Sequence, residues 1–148
     1  TAILLPDATS VAMLGEQLAQ SGGDEAAIPF PAGFSDDGLY LLPPDPDVWF
    51  HDGYSAEERV WSHAHIAPEP SPPLAAPVHL TAGRYGKVPR FYIETLQDIV
   101  LPIAAQRAMA AFGQPLEVLT LDSGHMPTVT HVEELAAMLD DIARRVAG

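Results

Sequence analysis

Two residues of this 148-residue chain, Asp98 and His125, have the chemical types and the order of an acid–base pair. A carboxylate bonded to one imidazole nitrogen fixes the tautomer and stabilises the imidazolium as it forms. The second nitrogen can then act as general base toward a nucleophile, which is the supporting half of a catalytic triad. Each residue also has a plainer reading, because a loop Asp before a helix is commonly a cap and a loop His is commonly polar surface. The pair means something only if the fold returns the chain across the 27 positions from one to the other.

The flanking sequence supplies such a return. Val88–Thr95 reads as a strand, followed by the loop holding Asp98. A helix is expected from about Pro102, proline being favoured at a first turn, to near Gly113. Leu116–Leu121 reads as a second strand, and the loop Asp122-Ser-Gly-His125-Met-Pro127 follows it. The final helix carries a capping-box pattern at Thr130-x-x-Glu133 and an apolar stripe of Val132, Leu135, Leu139, Ile142 and Val146. Arg144 and Arg145 suit its C-terminal end, where Gly148 would cap it. Strand–helix–strand–helix with short connections predicts a parallel α/β layout, whose sites lie beyond the carboxyl ends of the strands. Both loops would then open on one edge.

Upstream, Thr1–Leu5 is an apolar run that reads as a buried strand, and Val11, Leu14 and Leu18 recur at helical spacing before Gly22-Gly23. From Asp24 to Pro77 the chain holds ten of its fifteen prolines, which excludes long helices and central strands. One short helix is expected there, capped by Ser55-Ala-Glu-Glu58 and closed by Pro68. The organisation is thus 1–23, a strand and helix; 24–80, proline-rich; and 81–148, the regular α/β part.

Composition excludes several classes. The chain is 47% hydrophobic with a formal charge of −13, which describes a globular protein. Thr1 to Glu58 has eleven carboxylates and no Lys or Arg, a surface that repels nucleic acid and anionic lipid. No apolar run reaches the roughly 20 residues of a membrane helix, no signal peptide opens the chain, and a cytoplasmic protein is expected. Zero cysteine excludes disulfides and thiolate metal sites.

Weaker patterns have plainer readings. His63-Ala-His65, with His51 and His79, invites a metal, but alternate positions diverge on a helix and no metal is expected. Asp36, Asp37, Asp45 and Asp47 lack the order of a calcium loop. Phe30, Phe34, Tyr40, Trp49, Phe50, Tyr54 and Trp61 either pack the proline-rich part onto the core or form an apolar lid over a medium-sized acyl substrate.

From about Asp45 to the C-terminus the chain resembles the back half of an α/β-hydrolase, in particular the plant-type methylesterase and hydroxynitrile lyase group with its bacterial esterase relatives. The carrying residues are Val88–Asp98, Pro102, Gln106-Arg107, Asp122–Pro127 and His131-x-Glu-Glu-Leu135. Trp49–Asp52 and Ser55–Trp61 resemble that group's cap and its return to the core, and Leu5-Pro6-Asp7 the entry to the cap. The resemblance implies that Asp98 is the triad acid, His125 the base, that 24–80 is a cap, and that no cofactor is needed. The family's chain order of Ser, then Asp or Glu, then His fits the last two steps. Met126 follows His125 where the lyases usually carry Lys, which favours ester hydrolysis over cyanohydrin cleavage.

The departure from the family is equally clear. No G-x-S-x-G occurs, and the seven serines (10, 21, 35, 55, 62, 71 and 123) all lack that context. Three strands cannot cover both faces of a doubly wound sheet, so an N-terminal hydrolase piece carrying the nucleophile is the expected partner, as a heterodimer made by processing, by splitting or from a separate chain. Thr1 raises self-cleavage as one such route, beside simple loss of an initiator Met. The expected activity is serine-type hydrolysis of a small-molecule ester or related acyl bond. Alternatives are a lyase, epoxide hydrolase, acyl-transfer or cyclising reaction on the same scaffold, or a binding protein with a relic catalytic pair.

Overall fold

A computed structural model of the chain describes residues 3–22, 33–43 and 53–147. Its elements are α1 (Val11–Gly22), β1 (Tyr40–Leu41), α2 (Ala56–His65), β2 (Glu69–Pro70), α3 (Pro72–Ala75), β3 (Phe91–Thr95), α4 (Ile103–Gly113), β4 (Glu117–Leu121), α5 (Pro127–Thr130) and α6 (Val132–Ala147), with a 3₁₀ turn at Tyr85–Lys87.

The expected parallel unit is present. β3 and β4 pair in parallel from Phe91↔Glu117 to Thr95↔Leu121, and α4 makes the crossover. Ser10 starts α1, its hydroxyl accepting the Met13 amide at 3.2 Å. Leu14 and Leu18, one turn apart on α1, are fully buried with Leu101, Ala105 and Met109. An ion pair ties α4 to the strands. Arg107 meets Glu94 of β3 through two bonds of 3.0 Å, and the Thr120 hydroxyl of β4 donates to the same carboxylate at 3.2 Å. The Arg107 bond, working against burial, holds the Glu94 carboxyl below its ordinary value.

In the proline-rich stretch, α2 forms with the expected capping box. Ser55 accepts the Glu58 amide at 3.3 Å, and Glu58 accepts the Ser55 amide at 2.7 Å. β1 and β2 add a small antiparallel ladder that sequence patterning did not show, pairing Tyr40 with Pro70. Two residues per strand is too short for a period to be read, and Pro70 is tolerated in so short a pair.

Three expectations need correction. The opening run forms no strand among the described residues; Leu4 and Leu5 pack on the core cluster instead, so two parallel strands are present rather than three. β3 begins at Phe91, not Val88, because Pro89 has no amide to donate and the Arg90 guanidinium folds back onto the carbonyls of Tyr85 and Val88. The end of α4 at Gly113 is as expected, with Gln114 capping it in the left-handed conformation at φ 46°. The capping box at Thr130 does not form, because Pro127 nucleates α5 and draws Thr130 into it. The Thr130 hydroxyl donates to the Met126 carbonyl at 3.3 Å and lies 2.8 Å from His131 Nδ1. Thr1, Phe30, Asp45, Asp47, Trp49, Phe50, His51 and Gly148 lie outside the described residues.

The stripe of α6 is where expected, but the described residues cover it only in part, with Leu135 and Ile142 half-buried. Val132, Leu139 and Val146 are 55%, 51% and 49% exposed. Burial therefore predicts unequal responses to truncation. In denaturant unfolding of this chain, Leu14→Ala should cost about 2–5 kcal/mol. Leu139→Ala should cost about 1 kcal/mol or less, and equal losses would contradict this packing.

Candidate functional site: a buried carboxylate and a histidine at one sheet edge

The two loops that leave β3 and β4 are zipped together before they diverge. The Leu96 amide donates to the Leu121 carbonyl and the Gln97 amide to the Ser123 carbonyl, each at 3.0 Å. The Gln97 side chain donates to Asp122 at 3.0 Å. Parallel pairing thus continues past the strand ends and delivers the next residues, Asp98 and His125, to one place. His125 Nδ1 lies 3.0 Å from Asp98 Oδ2 and 3.1 Å from Oδ1. The pair expected from sequence is together, on the expected edge.

The two side chains differ in environment. Asp98 has no exposed side-chain surface, whereas that of His125 is 26% exposed. Asp98 Oδ1 accepts the amides of Val100 and Leu101 at 2.9 and 2.8 Å, and Oδ2 accepts the Thr95 hydroxyl at 3.1 Å. Burial pushes the carboxyl up. His125, the Leu101 amide and the Thr95 hydroxyl outweigh it and hold the group below its ordinary value of 3.8. Burial, then the charges of Asp98 and Glu94, push the nearby Tyr92 phenol up. The site therefore keeps an ionised carboxylate, inaccessible to solvent, against an imidazole that is partly accessible.

Thr95 and Gln106 belong to this site, and neither role was read from the pattern. Both are fully buried. Gln106 spans the loop from within, its Oε1 accepting the Thr95 amide at 2.9 Å while Nε2 donates to the carbonyls of Thr95 and Leu101 at 2.9 and 2.7 Å. The available signal was a Gln on the buried face of α4, three positions before Met109.

The other sequence candidates are not gathered here. His65 stacks on Trp61 with ring centroids 4.4 Å apart, and its Nδ1 lies 2.7 Å from the Trp61 carbonyl. Asp37 shapes its own turn by accepting the Ser35 hydroxyl at 2.6 Å and the Leu39 amide at 3.0 Å. Among the described residues no group of three His, Asp or Glu could hold a metal, and no helix is long and apolar enough to cross a membrane.

No protein-family model matches the chain. Putative methylesterase 13 of Arabidopsis thaliana, chloroplastic, is 34% identical over 80 residues, 53% of this chain and 18% of its own length. A pyrethroid hydrolase of Sphingobium wenxiniae is 35% identical over 95 residues, 64% of this chain and 34% of its own. The crystal structure of a pyrethroid hydrolase from Sphingobium faniae superposes with a TM-score of 0.76 and 27% identity, covering 97% of this chain and 58% of that one. The chain spans 58% of that structure and 18% and 34% of the two curated relatives. Its fold is that of the C-terminal portion of an α/β-hydrolase. Its relatives by sequence are methylesterases and a pyrethroid hydrolase.

The depressed carboxyls set a direction for acid stability. Groups lowered on folding contribute fully above their unfolded values, and that contribution is lost as pH falls through the folded ones. For Asp98 and Glu94 the loss therefore lies below the ordinary values of 3.8 and 4.5. Denaturant melts from pH 6 downward should show Asp98→Asn less stable at pH 6 and flatter with pH below 4.5. A slope equal to wild type would remove Asp98 from the linkage.

Proposed function

We propose that this chain supplies the acid and base of a serine-type esterase whose nucleophile stands on a separate N-terminal hydrolase piece. The observation that carries this reading is the buried Asp98 carboxylate on His125 Nδ1, 3.0 Å away at the carboxyl edge of a parallel sheet. With Nδ1 held by Asp98, His125 Nε2 takes the proton of the attacking serine and passes it to the leaving alcohol. Water then attacks the acyl-enzyme through the same nitrogen, and Asp98 remains ionised throughout. The hydrolases and esterases among the relatives support ester or related acyl bonds as the substrate class.

Two features support a partner and a lid. Leu116, Val118 and Phe112, with the outer stripe of α6, are 43–72% exposed, which is the kind of surface that the rest of a hydrolase core would cover. Between α1, β1 and α3 lies an apolar cavity of about 560 Å³ lined by residues including Val11, Ala12, Phe34, Leu41 and Leu74. The lining includes neither Asp98 nor His125, so the reading of residues 24–80 as a cap over a medium-sized, apolar acyl group rests on the resemblance of that stretch to the family's cap.

Hydrolysis of p-nitrophenyl acyl esters by the natively purified protein, with any polypeptide that accompanies it, tests the reading. His125→Ala should reduce kcat by about 10³-fold or more, and Asp98→Asn by about 10⁴-fold, with the assembly intact by size-exclusion chromatography. Near-normal rates in either variant would overturn the assignment. An intact mass spectrum showing only the 15.8 kDa species would remove the two-piece enzyme.

A further inference from the structure

The Asp98 loop is fastened at both ends by one side chain. Gln106 bonds the amide and carbonyl of Thr95, where β3 ends, and the carbonyl of Leu101, where the loop reaches α4. These partners fix which way the amide points. The Thr95 amide needs an acceptor and the two carbonyls need donors, so Oε1 faces the former and Nε2 the latter. Nε2 also lies 3.2 Å from Thr95 Oγ1. The Thr95 hydroxyl has two acceptors within reach, Asp98 Oδ2 at 3.1 Å and Gln106 Oε1 at 3.4 Å, and the ionised carboxylate is the nearer and the stronger. With both Nε2 hydrogens spent on the carbonyls of Thr95 and Leu101, Gln106 fixes the Thr95 backbone, and that backbone sets the hydroxyl against the carboxylate. Both residues are fully buried, so no water substitutes for either.

We propose that Gln106, acting through Thr95, is the positioning residue that aims the Asp98 carboxylate at His125. The inference deepens the esterase reading and rests on it only for the kinetic consequence. α4 otherwise meets the core through apolar side chains, including Ala105 and Met109. A polar residue in that layer is costly unless every group is paired, and here the pairing is spent on the one loop that carries Asp98. The titratable groups facing Asp98 are His125 from the loop after β4 and Tyr92 from β3, and Glu94 lies beyond Tyr92. Glu94 is already neutralised by Arg107 of α4. Removing the Thr95 hydroxyl therefore takes away one of the four donors on the carboxylate.

The Asp98 carboxyl ¹³C resonance, followed against pH in labelled protein and assigned by its loss in Asp98→Asn, reads the effect without any turnover. Thr95→Val and Gln106→Met should each raise its titration midpoint by about half a unit or more. Thr95→Ser, which keeps the hydroxyl, should titrate like wild type. Met109→Ala, which destabilises the same helix by opening a cavity, should also leave the midpoint in place. On ester substrates Thr95→Val and Gln106→Met should lower kcat about tenfold or more while KM is unchanged. Wild-type midpoints in both Thr95→Val and Gln106→Met would overturn the inference, as would an equal shift in Met109→Ala. A shifted midpoint in a protein that hydrolyses no ester would uphold the positioning role and overturn the esterase reading instead.

Discussion

A carboxylate without exposed side-chain surface stays ionised only where donors replace its lost water, and the Asp98 environment is organised around that requirement. Two backbone amides, one hydroxyl and one imidazole face its two oxygens. None of these donors is independent of the fold. The amides of Val100 and Leu101 point inward because the chain turns there into α4. The hydroxyl is the last residue of β3, and the imidazole arrives only because β4 lies in register beside β3. Loss of the parallel pairing would therefore strand a buried charge, which ties the site to the stability of the sheet. The same reasoning applies one layer away, where Glu94 is held by Arg107 and Thr120 from the crossover helix and the neighbouring strand.

Much of this was legible in the sequence, and for identifiable reasons. Strand, helix and strand announced themselves through apolar runs and turn residues between Val88 and Leu121, and the parallel layout then dictated where the following loops must open. Asp98 and His125 were readable because their types are chemically distinctive. The capping box at Ser55 was readable because both of its bonds are local. Thr95 and Gln106 were not legible as parts of the site, because their partners are backbone groups that exist only once the loop has folded. The failed cap at Thr130 has a related cause. A local motif competed with another local motif, and Pro127, which starts a turn three residues earlier, took the threonine first. β1 and β2 are two residues each and carry no period to read.

The strength of a local pattern is no guide to where its energy is spent. The most amphipathic sequence in the chain is α6, yet no residue of it is buried among the described residues. The short, unremarkable Leu14–Leu18 pair of α1 lies at the centre of the core. The α6 pattern reports a face shaped for burial, and among the described residues that face is covered only in part.

One consequence of the zipped loops reaches beyond the pair itself. The contacts described above that align Asp98 with His125 lie within one β–α–β passage, from Thr95 through Gln106 to the loop after β4. An acid and a base prepared in this way are autonomous. Under the proposed two-piece reading, a break upstream would leave these contacts intact. Alignment of the attacking group then becomes a problem of docking two prepared surfaces rather than of folding one active site.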